Sequence, residues 1–355
     1  MMKNESNKQI LFIVYDGIHN SVFQSQVIDP ILKRLHQNPN LKITLLSFEK
    51  KIPTENELLK INKLHPNLNL IIKKRFPFIG KISFFLPIKN LCIFLKQNYF
   101  DEIIARGPLA GYVAIKTMQK INKYNLKLTV QARGLGAEEY RFSNEYSPSQ
   151  NILKKLMFRI IYKKLKNLEF ATYCRKDYLS KFEIESVSEA LKEYLITEFK
   201  ADKNKITIAA LDIPQKLSTV EIKTYRQAIR SELQIPQEAA VYCYSGSARP
   251  WQCIEESIEY FKKEHEKNKN IFLLIYSQDE ETIKKIARQK GLDNSCYKIK
   301  FIKSQDLIRY LSAADFGILF RKKDIINYVS RPTKLLEYNS AGLKIIHNQT
   351  VALLK

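Results

Sequence analysis

A chain of 355 residues exceeds what one core comfortably organises and suits two domains of roughly 100 to 200 residues each, and 45% apolar residues with 10 glycines and 12 prolines exclude a disordered or low-complexity protein. The 59 Lys and Arg against 36 Asp and Glu leave a formal charge of +23, which favours polyanionic partners such as nucleic acid, an anionic membrane face or phosphorylated substrates, unless it reflects only the base composition of the genome. Cys92, Cys174, Cys243, Cys253 and Cys296 are scattered and never in a CxxC spacing, so neither a disulfide framework nor a zinc site is expected and a reducing compartment fits best.

The opening MMKNESNKQILFIVYDG has an apolar run of six residues before Asp16, too short for a signal-peptide core. No later stretch reaches the roughly 18 apolar residues of a spanning helix. The expectation is a protein neither exported nor membrane-spanning. ILFIVYD, residues 10–16, is rich in branched side chains and predicts a strand buried on both faces of a parallel sheet. A helix through SVFQSQVIDPILKRL and a strand KITLLSF follow. LNLIIK, DEIIA and LKLTVQA predict further strands, with a helix over GYVAIKTMQKINKY. From Ile152 to Leu168 apolar residues recur at helical spacing, and FEIESVSEALKEYLITEF predicts a strand and a helix.

After Pro214 and Pro236, AAVYCYSG repeats the buried strand followed by glycine, so domains at 1–215 and 216–355 are expected. Helices over IEESIEYFKKEHE, EETIKKIARQKG, SQDLIRYLSAA and PTKLLEYNSAG alternate with the strands IFLLIYS, YKIKFIK and DFGILF. The whole chain therefore predicts an α/β protein of two Rossmann-like domains.

The stretch LIRYLSAADFGILFRKKDIINYVSRPTKLLEYNSAGLKII resembles the donor-site block of glycosyltransferase family 4, the retaining group 1 enzymes of GT-B fold. In that block a helix ending in a small residue and Asp leads to a strand, a loop and a P-x-K-x-x-E-Y helix. YSGSARPWQCIEESIEYF resembles the first strand, loop and helix of the same domain, and VSEALKEYLITEF and RGLGAEEY resemble blocks of the N-terminal domain. The resemblance implies two Rossmann-like domains facing a central cleft, an N-terminal acceptor domain and a C-terminal nucleotide-sugar domain. The chain stops just after KIIHNQT, where family members continue through further helices, so the C-terminal domain is expected to be truncated.

Helix N-termini at the carboxyl ends of strands present free N–H groups to phosphate, and SGSARP and SRPTK both fall at such ends. Arg249, Arg321 and Lys334 are candidates to neutralise a diphosphate, and Glu337, one turn beyond Lys334, to accept from ribose hydroxyls. The resemblance assigns donor contacts to Gly246, Ser247, Arg249, Arg321, Pro332, Thr333, Lys334, Leu335 and Glu337, with Arg249, Lys334 and Glu337 serving transfer itself. Eight residues before Glu337 the family often has a second glutamate; here it is Val329. The alternative for Glu337 is an exposed helix carboxylate paired with Lys334.

In the first half, YDGIHNSVFQSQV resembles the family's first cleft loop, which places Gly17, His19 and Asn20 toward acceptor; Asn20 and Ser21 are otherwise helix caps and His19 a hydrogen-bonding loop residue. Arg106 with Gly107, and Arg133, Gly134 and Glu138, form a second concentration of acceptor or cleft residues. For Arg133 and Glu138 the alternative is a buried structural ion pair. GLGAEE lacks the third glycine of a dinucleotide fingerprint.

Residues 73–96 combine six basic side chains with five phenylalanines and no acid, and ILKKLMFRIIYKKLKN repeats the theme, which suggests contact with an anionic membrane surface unless the apolar faces are ordinary core. The resulting expectation is a cytoplasmic enzyme, peripheral on the inner face of the plasma membrane. It would be a retaining glycosyltransferase moving sugar from a nucleoside-diphosphate sugar to a glycan or lipid-linked acceptor in surface polysaccharide synthesis. No cofactor or metal is expected, since no DxD pair lies at a suitable loop, and no nucleic-acid reader motif is present. The alternatives are a GT-B sugar-nucleotide epimerase and a truncated, non-catalytic relative.

Overall fold

The computed structural model describes residues 8–20, 23–145, 152–210 and 214–354; the MMKNESN opening and Ser21 lie outside the described residues. The chain divides into two compact units, Met1–Ala210 and Leu211–Lys355.

The first unit is built on seven strands among the described residues: β1 (Gln9–Val14), β2 (Lys42–Glu49), β3 (Leu68–Lys74), β4 (Glu102–Arg106), β5 (Lys127–Ala132), β6 (Phe182–Ser186) and β7 (Ile206–Ile208). All pair in parallel in the order β3-β2-β1-β4-β5-β6-β7. The order reverses between β1 and β4, the place where open α/β sheets collect ligands beyond their carboxyl ends. β1 is buried along nearly its whole length because helices cover both faces: Ile10, Phe12 and Val14 pack with Val27, Ile31 and Leu35 of the helical segment that follows. That segment opens as a π-turn, Gln24–Ile28, before the α-helix Asp29–Gln37.

The second unit repeats the plan with β8 (Ala240–Ser245), β9 (Ile271–Tyr276), β10 (Tyr297–Lys300), β11 (Phe316–Leu319) and β12 (Lys344–His347), parallel in the order β10-β9-β8-β11-β12. Its reversal falls between β8 and β11. Asp315, the acid of the AAD triplet, fastens this sheet. It accepts from Arg226 (2.6 Å) and Arg230 (2.9 Å) of the helix Thr219–Glu232 and from the Val241 N–H (2.8 Å) at the start of β8. Arg230 is buried and also donates to the carbonyls of Ala313, Gln237 and Ala239, so its five N–H groups are well spent.

The helices Glu55–Asn62, Phe85–Gln97, Gly136–Glu145 and Thr219–Glu232 and the strand β7 were not anticipated by the sequence patterns. Two of them carry a local signature: Thr54 with Glu57 and Ser218 with Glu221 form capping boxes.

Candidate functional site

At the reversal point of the second unit, β8 ends in Ser245 and the chain turns through Gly246, while β11 runs on to Phe320 and Arg321. The helix Thr333–Ser340 sets its first turn beside both. Pro332 presets the helical entry, and Gly342, at φ +78°, lies just past its end. Tyr338 locks the arrangement. Its buried hydroxyl accepts the Ser245 N–H at 3.0 Å and donates to the Ile318 carbonyl at 3.4 Å, and its ring fills the space above Gly317, where a Cβ would come within 2.4 Å.

This scaffold holds Lys334 in an unusual state. The side chain is buried, its Nζ makes no hydrogen bond, and the ammonium lies over the face of Tyr244, 4.1 Å from the ring centroid. Burial drives its pKa well below the ordinary lysine value; nearby Arg321 pushes the same way, and Glu337 opposes. Arg321 is also buried, with its guanidinium lowered by burial; its Nη1 reaches the Gln252 Oε1 at 3.3 Å. Asn348 grips its backbone, accepting from the Arg321 N–H (3.2 Å) and donating to its carbonyl (2.7 Å). Gly246 is where these groups meet. At φ +136°, a Cβ there would stand 2.5 Å from both Cε and Nζ of Lys334 and 3.0 Å from Gln252 Oε1, so only glycine admits the lysine.

Glu337 is half-buried, and its pKa is raised by burial against the pull of Lys334. The exposed Lys334–Glu337 helix pair offered as an alternative is therefore not what forms: the lysine Nζ is unbonded and the carboxylate is largely enclosed. Val329, eight residues earlier, is buried apolar core. Arg249 does not join the buried cations; it is exposed and lies over Trp251, 5.2 Å from the ring centroid. Leu335 turns its side chain into the core, and its N–H bonds the Pro332 carbonyl at 3.2 Å. Ser247 contributes its carbonyl to the Tyr244 hydroxyl (2.7 Å), while Thr333 is exposed and Pro332 buried. Gln252, Tyr244 and Asn348 were missed, because nothing in their spacing announces that they converge.

In the first unit, adjacent strand ends bring together Asp16–Gly17, Arg106–Gly107 and Arg133–Gly134; Val14 pairs with Arg106 and Arg106 with Gln131 in the sheet register. Gly17 has φ +85°, and a Cβ would stand 2.5 Å from Glu49 Oε2. That buried carboxylate, also missed, accepts from the Ile18 N–H (2.8 Å) and the Ser47 hydroxyl (2.5 Å) and so shapes the loop. His19 is exposed, 3.8 Å from Glu57, and Asn20 is half-buried in the same turn. Arg106 is buried; one Nη donates to Gln26 (2.7 Å) and the other is enclosed without a hydrogen-bond partner, while a Cβ built at Gly107 would meet nothing within 4 Å.

Arg133 and Glu138 do not pair with each other. Arg133 bonds Glu185 on β6 at 3.0 Å. Burial disfavours ionisation of Glu138, yet hydrogen bonds from Arg141 (2.7 Å), Tyr162 (2.8 Å) and Lys166 (3.0 Å) outweigh it and hold the carboxyl below its ordinary range. Tyr162 and Lys166 belong to the long helix Ile152–Tyr173, which also sends Glu169 to the Ala137 N–H (3.3 Å) and stacks Phe158 on Tyr140 with ring centroids 5.5 Å apart. Burial pushes the Glu169 carboxyl up to about 8. The start of the helix Gly136–Glu145 is thus fastened at three levels to one neighbouring helix.

Residues 225–351 match the profile of the family described as glycosyl transferases group 1. Among solved structures, the chain is similar to a glycosyltransferase from Rickettsia africae (TM-score 0.62, 14% identity, covering 97% of this chain and 80% of that one). It is also similar to HepE of Anabaena, solved with UDP and glucose (TM-score 0.61, 12% identity, covering 97% and 82%). A third is WaaG, a glycosyltransferase involved in lipopolysaccharide biosynthesis (TM-score 0.58, 13% identity, covering 96% and 81%). No curated protein matches the chain by sequence. Two parallel sheets of this order define the GT-B fold of glycosyltransferases. Residues 225–351, most of the second unit, are thus similar to the group 1 glycosyl transferases.

Proposed function

We propose that the second unit binds a nucleoside-diphosphate sugar and that the protein is a retaining enzyme of family 4, delivering the sugar to a glycan or lipid-linked acceptor received by the first unit. The observation that supports this most is Lys334. An enclosed lysine with no hydrogen-bonded anion is costly to ionise, and a pyrophosphate beside Gly246 supplies the missing charge. Arg321 adds a second cation, and Glu337 takes the ribose hydroxyls. Arg249, on the exposed loop, reaches the outer face of the diphosphate. In the transfer the bond from the anomeric carbon to the pyrophosphate oxygen breaks and a new bond to the acceptor oxygen forms. The acceptor proton passes to the departing phosphate, so no dedicated base is required. Charge that builds on the leaving group is stabilised by Lys334 and Arg321, fixed before the reaction, in place of a metal ion.

Surface polysaccharide synthesis on the inner face of the plasma membrane is the setting that fits; lipopolysaccharide assembly by WaaG is the parallel among the similar structures. Thermal unfolding with a panel of nucleotide sugars and free nucleoside diphosphates tests the donor half. A true donor at 100 times its dissociation constant stabilises by about 2.7 kcal/mol. The same ligand should leave Lys334→Met unshifted, and a panel in which none stabilises the native chain removes the assignment.

A further inference from the structure

The first unit encloses a cavity of about 230 Å³ at the amino ends of β6 and β7. It lies at the opposite edge of the sheet from Gly17, Gly107 and Gly134, which follow the carboxyl ends of β1, β4 and β5. Two turns build it. Beyond the helix Ile152–Tyr173 the chain loops through residues 174–181 before Phe182 opens β6, and Asp202 caps the Asn204 N–H (3.0 Å) to start the short turn Lys203–Lys205 that leads into β7. The Arg175 N–H bonds the Lys200 carbonyl at 3.3 Å and ties the two turns together. The floor is apolar and buried: Phe182 and Ile184 share one face of β6, beside Leu179 and the ring of Tyr173, which stacks on Phe199 with centroids 5.9 Å apart.

The walls are cationic. Residues 174–182 and 200–206 hold six basic side chains against two acids, Asp177 and Asp202. Both acids serve Arg175: Asp177 accepts from its Nε at 2.5 Å, and Asp202 lies near enough to favour the same charge. Lys176 and Lys205, which also line the cavity, have no carboxylate partner among the described residues. Lys176 Nζ donates to the Cys174 carbonyl (2.7 Å) and Sγ (2.8 Å), and Lys205 Nζ to the Ser180 carbonyl (3.2 Å). Lys176 is 8% exposed, so its ammonium has given up most of its water for dipoles, with no opposite charge in return.

We infer that this cavity binds a small organic anion, a single ring carrying a carboxylate or a phosphate, with the ring on the apolar floor and the charge meeting Lys176 and Lys205. An apolar cavity of about 150 Å³ accepts benzene, so the larger volume here holds a ring together with its anionic substituent. An apolar bed with a few convergent polar groups is the usual make-up of a small-molecule site. The site takes no part in the transfer proposed above. Tyr173 stands one helical turn beyond Glu169, which holds the Ala137 N–H, so an occupant braces the helix to which the segment after β5 is fastened.

The test is titration of the full chain followed by ligand-observed NMR, with benzoate and phenyl phosphate as probes and benzyl alcohol and inorganic phosphate as controls. The tighter of the two probes identifies the charged group, and it should bind about tenfold or more tightly than either control. Lys176→Met combined with Lys205→Met should weaken it by about tenfold or more. Ser180→Tyr, on the exposed rim, should close the cavity to it. With the probe at saturation, amide hydrogen exchange should slow at residues 174–184 and 200–206. Lys334→Met should bind the probe as the native chain does. Circular dichroism establishes that each variant is folded, and Ser180→Tyr decides alone if the methionine pair is not. Equal binding of either control, binding unchanged by Ser180→Tyr, or binding lost in Lys334→Met, which assigns the anion to the second unit instead, would each overturn the proposal. So would failure of both probes to bind, which leaves the donor reading untouched.

Discussion

The Lys334 ammonium lies over the face of Tyr244, at 4.1 Å from centroid to Nζ, with no hydrogen bond to offset its burial. A cation over an aromatic face gains about 0.5 to 2 kcal/mol, less than the desolvation of a buried charge costs, so burial favours the neutral amine in the unliganded site.

Lys334→Met should therefore raise the thermal midpoint of the unliganded protein while lowering transfer by about 10²- to 10³-fold, the scale of losing one preorganised charge-stabilising group. Donor binding should also draw in a proton. Between the depressed folded pKa and the ordinary lysine value the free site is largely neutral, and a bound diphosphate restores the charged form. Calorimetric titration in buffers of different ionisation enthalpy checks this, and the buffer dependence should vanish in the methionine variant.

Glu337→Gln should raise KM for the donor by about tenfold or more, since hydrogen bonds to a charged acceptor contribute about 1.5 to 3 kcal/mol. Because burial raises the carboxyl's pKa, donor affinity should increase with pH through that raised value as the acceptor ionises. Steady-state kinetics across pH should show this acidic limb in the native enzyme and a flat profile in the glutamine variant.

Asp315→Asn should be among the most damaging single changes to stability, about 3 to 5 kcal/mol, because it leaves buried Arg230 facing a neutral amide. Urea unfolding measures the loss. Under conditions where the variant is folded, donor affinity should be close to native, which distinguishes this structural acid from Glu337.

Glu169 makes a different signature. Its folded pKa of about 8 lies above the unfolded value of about 4.3, so the native state binds the extra proton and stability declines as pH rises between those two values. Glu169→Gln keeps an acceptor for the Ala137 N–H and should flatten that decline, with a gain on the order of a few kcal/mol near pH 8 in urea unfolding.

The strands were readable because burial on both faces writes continuous apolar runs such as ILFIVY and AVYCYS. The helix Thr219–Glu232 was not, although its capping box was in plain view, because its polar composition gives only a narrow apolar stripe. Lys334 and Glu337 could be named from a motif, yet motif alone could not separate them from Leu335, whose place on the helix turns it into the core. For Arg249, spacing locates a residue on a loop but does not say whether its side chain folds inward or lies on Trp251. The partner of Arg133 was invisible because Glu185 is brought beside it by the pairing of Gln131 with Glu185 across β5 and β6, a non-local register that no window of sequence contains.

The three fastenings between the helix Ile152–Tyr173 and the start of Gly136–Glu145 mean that whatever displaces the long helix also carries the segment after β5 with it. Substitution at Glu138 therefore unpicks a seam two helices deep, whereas the backbone at Gly107 borders open space.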